Sequence, residues 1–221
     1  FYVDADGSYV DCSNQIVVDA ETGSARLTST EDELLDLGSI YPDWTAGMSH
    51  SLSYKGFRLG LSFSAQWGGK TYSMTHFALA YQGKLKNSLK GRYAGMIVPG
   101  VNLNENGTYS KNTTITTDIV DHYTNYVYAR ENAEENVFDT SFLKLKELRL
   151  EYSLPRHLCS KTWVFQGITV GVYATNPFCW TNFPLYDPEA GYAVGSSISR
   201  GIEAGAYPMT RTYGINLKLD F

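Results

Sequence analysis

The stretch RTYGINLKLDF, residues 211–221, alternates between apolar and polar side chains with a period of two. The apolar set falls on one face of an extended chain and consists of Tyr213, Ile215, Leu217, Leu219 and Phe221. This period is typical of a β-strand that has one apolar and one polar face. Such strands occur in membrane barrels and also in soluble β-sandwiches, so this stretch alone predicts a strand and leaves both architectures open.

Residues 44–67 repeat the pattern twice and predict the clearest hairpin in the sequence. Apolar and small polar residues alternate on either side of a Lys-Gly dipeptide that can form a two-residue turn. The return run has about the eleven residues that a tilted strand needs to cross a bilayer. Trp44 and Trp67 at one end, and Tyr54 and Phe57 at the other, fall where two interfacial aromatic girdles would lie. We therefore predict that these four residues form a lipid-facing girdle.

The composition favours strands, because 17 Tyr, 10 Phe and 4 Trp stand against only 19% charged residues. No run of eighteen apolar residues occurs, so the sequence predicts no transmembrane helix. The mean hydropathy of -0.26 is compatible with a membrane barrel, since barrel strands turn only half of their residues toward lipid. A net charge of -5 without a basic stripe argues against a nucleic-acid partner.

Residues that could carry catalysis or bind metal show no motif spacing. The four histidines are scattered, and the sequence has neither a nucleophile elbow nor a metal-binding pair, so we predict no enzyme, no catalytic residue, no metal site and no cofactor. Cys12, Cys159 and Cys179 are odd in number and lack CxxC spacing, so at least one thiol is expected to be unpaired or intermolecular. Because the chain begins at Phe1 without a leader-like segment, it is expected to be a fragment or a processed piece.

Four segments resemble those of one transporter family. Residues 136–155, NVFDTSFLKLKELRLEYSLP, resemble the run in SusC-like TonB-dependent outer-membrane transporters in which an acidic-aromatic segment leads into a strand closed by YxLP. Residues 176–189, NPFCWTNFPLYDPE, and residues 207–213, YPMTRTY, are similar to that family's segments before its last strand. Residues 41–69 fit the preceding hairpin. The resemblance therefore covers most of residues 40–221.

This resemblance implies an all-β fold, an antiparallel transmembrane β-barrel of which the chain supplies the C-terminal strands only. About five strands are expected to cross the membrane, and five cannot close a barrel, which needs about eight. An open edge in lipid would leave backbone groups unpaired at a cost of several kcal/mol each. The remaining barrel strands and an amino-terminal plug are therefore expected to come from outside this chain.

The lengths of the connections predict the order of the segments. Barrels place short turns in the periplasm and long loops outside the cell. The predicted order is an extracellular loop region at 1–43, a transmembrane hairpin at 44–67, an extracellular loop with a helix at 68–141, two transmembrane strands with a periplasmic turn at 142–178, an extracellular loop at 179–208 and a C-terminal transmembrane strand at 209–221.

Two local features are predicted within this order. Apolar residues that recur every four positions predict one amphipathic helix over 74–90, ended by Gly91; they are Phe77, Tyr81, Leu85 and Leu89. The apolar alternation slips between Leu145 and Leu148, and again near Gly167. Each slip indicates a β-bulge or the start of a strand.

The resemblance also implies a function, namely energy-dependent import of glycans or peptides across the Gram-negative outer membrane. A SusD-like surface lipoprotein would act as the lid, and TonB would bind the amino-terminal part that this chain lacks. Outer-membrane lipid would surround the wall, and the barrel-assembly machinery would read the terminal aromatic residue, Phe221. The alternative is a soluble or surface-exposed β-sandwich that binds carbohydrate through its many tyrosines.

The two long predicted loops hold more aromatic residues than a solvated loop needs, and exposed aromatics commonly mark contacts. We predict that they contact cargo or the lipoprotein, although packing within the loops is an equally good explanation for any single residue. The candidate loop contacts are Tyr72, Tyr93, Tyr123, Tyr126, Trp180, Tyr186 and Tyr207.

Overall fold

The computed structural model describes most of the chain, namely residues 2–13, 15–27, 34–116, 118–159, 164–189, 193–194, 197–198, 200–205 and 207–221. The chain divides into two compact units. We call Phe1–Leu37 with Tyr72–Val137 the loop unit, and Gly38–Thr71 with Phe138–Phe221 the sheet unit. Among the described residues, no helix combines the length and the apolar character needed to cross a bilayer.

The sheet unit is built on five long antiparallel strands. They are β1 (Pro42–Tyr54), β2 (Phe57–Gly68), β3 (Phe142–Ser153), β4 (Gly167–Thr181) and β5 (Thr212–Asp220). Their spatial order is β5-β4-β3-β2-β1, so each strand pairs with the next long strand along the chain. The predicted hairpin is confirmed: Tyr54 pairs with Phe57 across a turn in which Lys55 and Gly56 have φ of 45° and 86°. Two positive φ values are the requirement of the tight hairpin turns that match strand twist.

Strand register places most of the apolar residues of the five strands on one face. One row across the sheet, from β1 to β5, reads Leu52, Leu59, Leu150, Val172 and Ile215. The adjacent row on the other face reads Ser51, Gly60, Arg149, Tyr173 and Gly214. Because the side-chain period is two, a slip of one residue in any pair would break this match, so the apolar pattern itself specifies the register.

The predicted slip between Leu145 and Leu148 is confirmed as a β-bulge. Leu145 pairs with Phe63 and Glu147 with Ser62, so Lys146 is an extra residue on β3 relative to β2. On β4, two residues lie opposite Lys146, because Leu145 pairs with Phe178 and Glu147 with Thr175. The bulge keeps the leucines on both sides of Lys146 on the apolar face. The second slip, near Gly167, coincides with the first residue of β4.

The remaining elements of the sheet unit are short. Two of the short strands, Lys70–Ser73 and Val137–Asp139, include the residues at which the chain passes from one unit to the other. A four-residue helix, Arg156–Cys159, follows β3. The short strands are Lys70–Ser73, Val137–Asp139, Ala193–Val194, Ser197–Ile198 and Ile202–Glu203.

The loop unit combines small sheets with short helices. Its strands are Tyr2–Val3 paired with Tyr9–Val10, Val101–Leu103 between Val17–Val18 and Tyr109–Lys111, and Met96–Ile97 paired with Ile115–Thr116. Its helical segments are Met74–Tyr81, the 3₁₀ turns Lys86–Leu89 and Ala133–Asn136, and Ile119–Asp121 continued by a π-helix over His122–Val127. A compact apolar core of Ala80, Ile119, Tyr123 and Tyr128 lies between these helices.

The prediction of one helix over 74–90 is wrong in extent. The helix begins at Met74, where the Ser73 hydroxyl accepts a hydrogen bond from the His76 amide at 3.0 Å, and it ends at Tyr81. Gly83 then adopts a φ of 67°, which terminates the helix before the next apolar residues of the pattern. The second helical region, 119–127, is unpredicted because its β-branched and aromatic residues have low helix propensity.

Candidate functional site

The predicted girdle residues lie in two directly opposed pairs at the two ends of the β1-β2 hairpin. Trp44 pairs with Trp67 and Tyr54 pairs with Phe57, and their side chains are 51% to 69% exposed. The distance from Phe57 to Trp67 along the strand is about 33 Å at about 3.3 Å per residue. A strand tilt of about 40° reduces this to about 25 Å, the height of the apolar band of an outer-membrane barrel.

The apolar face between these pairs is open. Met48, Leu52, Leu217 and Ile215 are 53% to 79% exposed, which is unusual for large apolar side chains in a regular sheet. In a soluble β-sandwich this face would be covered by a second sheet. Within the part of the chain that the structure describes, the five-stranded sheet is the only sheet built from long strands, so nothing comparable covers it.

The polar face carries a buried ionic cluster that was not recognised from the sequence. The Lys144 ammonium contacts both Asp187 and Glu189, and Lys146 contacts the same Glu189 oxygen. The Lys144 and Asp187 side chains are only 3% and 7% exposed. Two cations and two anions therefore neutralise each other at the end of β3 where the strand begins.

The bulge in β3 helps to assemble this cluster. Lys144 lies on the polar face before the bulge, and Lys146 is the extra residue itself, so both amines reach Glu189. The cluster binds the segment that follows β4, and Asp187 also accepts a hydrogen bond from the Met209 amide at 3.4 Å. A sequence signal was present: lysines two apart in LKLK, and acids two apart in YDPE.

A second buried carboxylate organises the same segment. Glu203 is 1% exposed and accepts hydrogen bonds from the Tyr186 hydroxyl at 3.0 Å and from the Gly205 amide at 2.7 Å. Tyr186, one of the predicted loop contacts, therefore has its hydroxyl engaged within the sheet unit. Its ring stays 38% exposed.

Comparisons with known proteins agree with this geometry. No protein-family model matches the chain. The chain is 26% identical over 203 residues to TonB-dependent receptor P3 of Formosa agariphila, covering 90% of this chain and 18% of the relative. It is 27% identical over 198 residues to TonB-dependent receptor P26 of the same organism, covering 88% of this chain and 18% of the relative. The resemblance to TonB-dependent outer-membrane transporters is confirmed.

Solved structures show the same fold. The RagAB peptide importer in its closed-closed state matches 100% of this chain and 20% of that chain, with a TM-score of 0.62 and 22% identity. Its open-open state matches 94% of this chain and 22% of that chain, with a TM-score of 0.55 and 21% identity. The predicted fold class, an antiparallel β-barrel wall, is confirmed. The chain spans about a fifth of the length of these proteins.

Phe221 lies directly after β5, and by alternation it continues the apolar face. Its side chain is 74% exposed, and its ring centroid is 5.3 Å from that of Phe165. The carbonyl of Asp220 accepts a hydrogen bond from the Gln166 amide at 2.7 Å. The end of β5 is thus held against the residues that lead into β4.

The seven predicted loop contacts differ in their surroundings. Tyr93 and Tyr207 are fully exposed, at 104% and 96%, and are available to a partner. Trp180 lies on the apolar face of β4, where its ring stacks on Phe178 with centroids 5.8 Å apart, so it belongs to the sheet and not to a loop. Tyr126, on the π-helix, is half-buried.

For Tyr123 and Tyr72 the structure favours packing over contact with a partner. Tyr123 is 8% exposed and donates a hydrogen bond from its hydroxyl to the Lys90 carbonyl at 3.1 Å. Burial raises the pKa of the Tyr123 hydroxyl above its ordinary value, which fits a role in the core. The Tyr72 hydroxyl is buried and has no hydrogen-bond partner among the described residues.

The loop unit also buries two histidines. His76 Nδ1 and Asn136 Oδ1 are 2.9 Å apart, and the His76 ring meets the Tyr128 ring edge-on at 5.8 Å. His122 is 1% exposed, and its Nδ1 has no hydrogen-bond partner among the described residues. Burial lowers the pKa of His122, against a smaller opposing effect of Asp121. Within the described part of the chain, no group of three His, Cys, Asp or Glu residues could hold a metal ion.

Proposed function

We propose that this chain forms part of the barrel wall and of the external loops of a TonB-dependent transporter that imports glycans or peptides. The observation that carries the proposal is the sheet unit, in which five antiparallel strands share one continuous, exposed apolar face. This is the arrangement expected of a membrane barrel wall, because only half of the residues of each strand meet lipid. The similarity to TonB-dependent receptors supplies the transporter class.

The edges of the sheet require partners. Among the described residues, β1 and β5 each pair with only one long strand, so each presents a row of backbone donors and acceptors along its outer edge. In hydrocarbon such rows cost several kcal/mol per unpaired group. We propose that further barrel strands pair with both edges, and that these strands, a plug and the TonB-binding segment belong to regions outside this chain.

The ionic cluster would face the barrel lumen, because it lies on the polar face. Its role in the proposal is mechanical: it fixes the segment containing Asp187 and Glu189 against the inner wall. Buried ion pairs contribute little net stability, but they impose one arrangement, since any displacement leaves charges unpaired. The rim through which cargo enters would therefore keep a defined shape.

The exposed tyrosines support a lipoprotein partner. We propose that a SusD-like surface lipoprotein docks on the external loops, with Tyr93 and Tyr207 among its contacts, because both rings are solvated in this chain. RagAB, whose fold this chain shares, is described as a peptide importer. The barrel-assembly machinery would recognise Phe221, and the proposal includes neither a nucleic-acid partner nor an enzymatic activity.

The membrane assignment can be tested with single cysteines on neighbouring residues of β2. Leu61→Cys lies on the apolar face and Ser62→Cys on the polar face. In a background with Cys12, Cys159 and Cys179 changed to serine, we expect Leu61→Cys to react only with a lipid-soluble maleimide in intact outer membranes. Ser62→Cys should be accessible to a water-soluble maleimide that enters the lumen. Equal reactivity of both positions with the water-soluble reagent would contradict the proposal.

Transport is tested by uptake in cells that carry the complete protein. We expect oligosaccharides or oligopeptides to enter only when TonB is functional. Tyr93→Ala is expected to lower co-purification of the lipoprotein, whereas Tyr9→Ala, a control with a 76% exposed ring in the same unit, should not. Uptake that persists without TonB would rule out the transporter class, and equal capture by both variants would remove Tyr93 from the docking surface.

A further inference from the structure

A pocket of about 650 Å³ lies wholly within the loop unit. Its volume is within the range of about 300–1,000 Å³ that is typical of small-molecule sites. The end of the helix Met74–Tyr81, the turn after it and the helical region 119–127 all contribute to its lining. Charged, polar and apolar residues share this lining, so the pocket suits a ligand that carries all three kinds of group.

The apolar core of the loop unit forms part of the pocket. Ala80, Ile119 and Tyr123 belong to that core and also line the pocket. Tyr81 and Val120 line it as well, and their side chains are 54% and 74% exposed. A ligand that covered these two side chains would remove apolar surface from water, which is favourable by about 25 cal/mol per Å².

An arginine is fixed against the wall of this pocket. The Arg92 guanidinium donates from Nε to the Ser88 carbonyl at 2.7 Å, and from Nη2 to the Ser88 hydroxyl and the Gly83 carbonyl at 2.9 Å each. Arg92, Ser88 and Gly83 all line the pocket. The glycine permits this close approach, because a Cβ at Gly83 would lie 2.8 Å from Nη2 of Arg92.

The contacts of Arg92 leave part of its guanidinium unused. They engage three of the five guanidinium N–H groups, and neither N–H of Nη1 has a hydrogen-bond partner among the described residues. No carboxylate among the described residues forms an ion pair with Arg92. The pocket therefore holds an oriented positive charge with two donors to spare. Such a group suits a carboxylate, because charge-assisted hydrogen bonds are about twice as strong as neutral ones.

A group of opposite charge lines the same pocket. Asp118 Oδ1 accepts a hydrogen bond from the Asp121 amide at 2.9 Å, which orients the Asp118 side chain, and Asp118 has no cationic partner among the described residues. One cation and one anion thus lie beside apolar residues without neutralising each other. A short peptide carries a carboxylate, an ammonium group and apolar side chains. A neutral glycan lacks both charges, and an acidic glycan lacks the cation.

We propose that this pocket binds a short peptide, with the peptide carboxylate at Nη1 of Arg92 and an ammonium group at Asp118. An apolar side chain of the peptide packs against Tyr81 and Val120. The inference rests on the proposed function in one respect, that the loop unit faces the outside of the cell. It deepens that function, because it selects peptides over glycans for this pocket and gives the loop unit a capture site of its own.

The experiment measures binding to the complete protein in detergent by isothermal titration calorimetry. The probes are the tripeptide Ala-Leu-Ala, the same peptide with a C-terminal amide, the same peptide with an acetylated amino terminus, and oligogalacturonate as an acidic glycan. We expect the wild type to bind the unmodified peptide about tenfold more tightly than either modified peptide, a difference of about 1.4 kcal/mol for each charged contact.

Two variants assign these two preferences to the pocket. Arg92→Gln should abolish the preference for the carboxylate over the amide and keep the preference for the free amino terminus. Asp118→Asn retains a side-chain acceptor for the Asp121 amide, and should abolish only the preference for the free amino terminus. Lys86→Gln is the matched control, because Lys86 is an exposed cation of the same segment that does not line the pocket. We expect Lys86→Gln to keep both preferences.

Each result has a defined meaning. The site is overturned if the wild type does not bind the tripeptide, if either pocket variant keeps the preference it should lose, or if Lys86→Gln loses one. It is also overturned if both pocket variants weaken all three peptides alike, since loss of folding would do the same. Tighter binding of oligogalacturonate than of the tripeptide would overturn the peptide assignment.

Uptake by cells that carry the same proteins separates this inference from the proposed function. TonB-dependent uptake by a wild type whose pocket binds no peptide would refute the pocket alone. Absence of TonB-dependent uptake of both oligopeptides and oligosaccharides would refute the proposed function.

Discussion

The sheet unit and the loop unit treat their apolar and charged residues in opposite ways. The sheet unit exposes large apolar side chains such as Ile215, at 79%, and buries the charged Lys144, at 2%. The loop unit buries Tyr123 and Tyr128 in a core and leaves Tyr93 fully exposed. The loop unit thus follows the rule for proteins in water, whereas the apolar face of the sheet unit is suited to hydrocarbon.

The largest effect that distinguishes the two surroundings is expected from a charge placed on the apolar face. Leu61 lies near the middle of β2, opposite His50 and Leu148. Leu61→Arg should destabilise the folded barrel by about 2–4 kcal/mol, the cost of an arginine at the centre of the bilayer. Urea unfolding of the complete protein in vesicles, followed by its heat-modifiable mobility on gels, measures this loss.

The matched control is Ser62→Arg, one residue further along β2. Ser62 lies on the polar face and pairs with Glu147, so the new cation meets water and a carboxylate. We expect little change in the unfolding midpoint. Equal destabilisation by the two arginines would mean that the two faces of the sheet have the same surroundings. It would contradict the assignment of the apolar face to hydrocarbon.

A smaller effect is expected from the ionic cluster. Lys144→Met leaves Asp187 without its main cation, while Glu189 keeps Lys146. Loss of one partner from a fully buried pair typically costs about 3–5 kcal/mol, and we expect about 2 kcal/mol here because half of the cluster stays neutralised. The loss should appear as faster hydrogen exchange in residues 182–189.

Lys218→Met is the control for this prediction, because Lys218 pairs with Asp220 at 3.1 Å and both side chains are at least half exposed. Exposed pairs contribute about 0–1 kcal/mol, so exchange near residue 218 should change little. If both methionine variants behave alike, the cluster does not fix the segment that follows β4.

The strand pattern and the ionic cluster differ in how far they could be predicted from the sequence. The alternation in 44–67 and 211–221 determined strand, face and register together, since a period of two leaves only one way to cover a face. The slip at Lys146 was visible for the same reason. The ionic cluster was not, because Lys144 and Asp187 are 43 residues apart and their contact depends on the path of the intervening chain.

The loop unit was predicted less well, since its structure depends on caps and turns more than on periodicity. The four-residue apolar period suggested a helix through Gly83, but the backbone of Gly83 ends it. The region 119–127 forms helical turns that pack Ile119 and Tyr123 into the core, against the weak helix propensity of the segment. A local glycine turn decided the first case, and tertiary packing decided the second.

A third prediction concerns assembly and not the stability of the assembled protein. Phe221 ends the apolar face and is 74% exposed, so its removal exposes little new surface. We expect deletion of Phe221, or Phe221→Asp, to lower the amount of protein in outer-membrane fractions several-fold, while the protein that does assemble keeps its unfolding midpoint. A charge at the membrane rim costs only about 0–1 kcal/mol, so instability would not explain the loss. Undiminished recovery of both variants would exclude Phe221 as an assembly signal.

The smallest effect is a pH dependence confined to the loop unit. His122 is buried in the π-helix, and burial holds its pKa below the ordinary value of 6.5. In the unfolded segment the imidazole takes up a proton near about pH 6.5, whereas in the folded segment it does so only at lower pH. The unfolded state therefore binds more protons as the pH falls below 6.5, and the loop unit loses stability. Above that pH both states are neutral, and His122 contributes no pH dependence.

This dependence can be isolated with His122→Gln, which does not titrate. In the wild type, we expect protection of residues 119–127 from hydrogen exchange, corrected for the intrinsic exchange rate, to fall between about pH 6.5 and about pH 5.5. In the variant the fall should be shallower. Burial raises the pKa of Glu135, so the folded state binds its proton more readily and the effect on stability has the opposite sign to that of His122. Glu135 is present in both proteins, so its effect cancels in the comparison. Protection in β3, on the sheet unit, serves as the internal reference. Identical pH profiles in wild type and variant would show that the pKa of His122 is the same in the folded and the unfolded segment. The burial of His122 in the loop unit would then not lower its pKa.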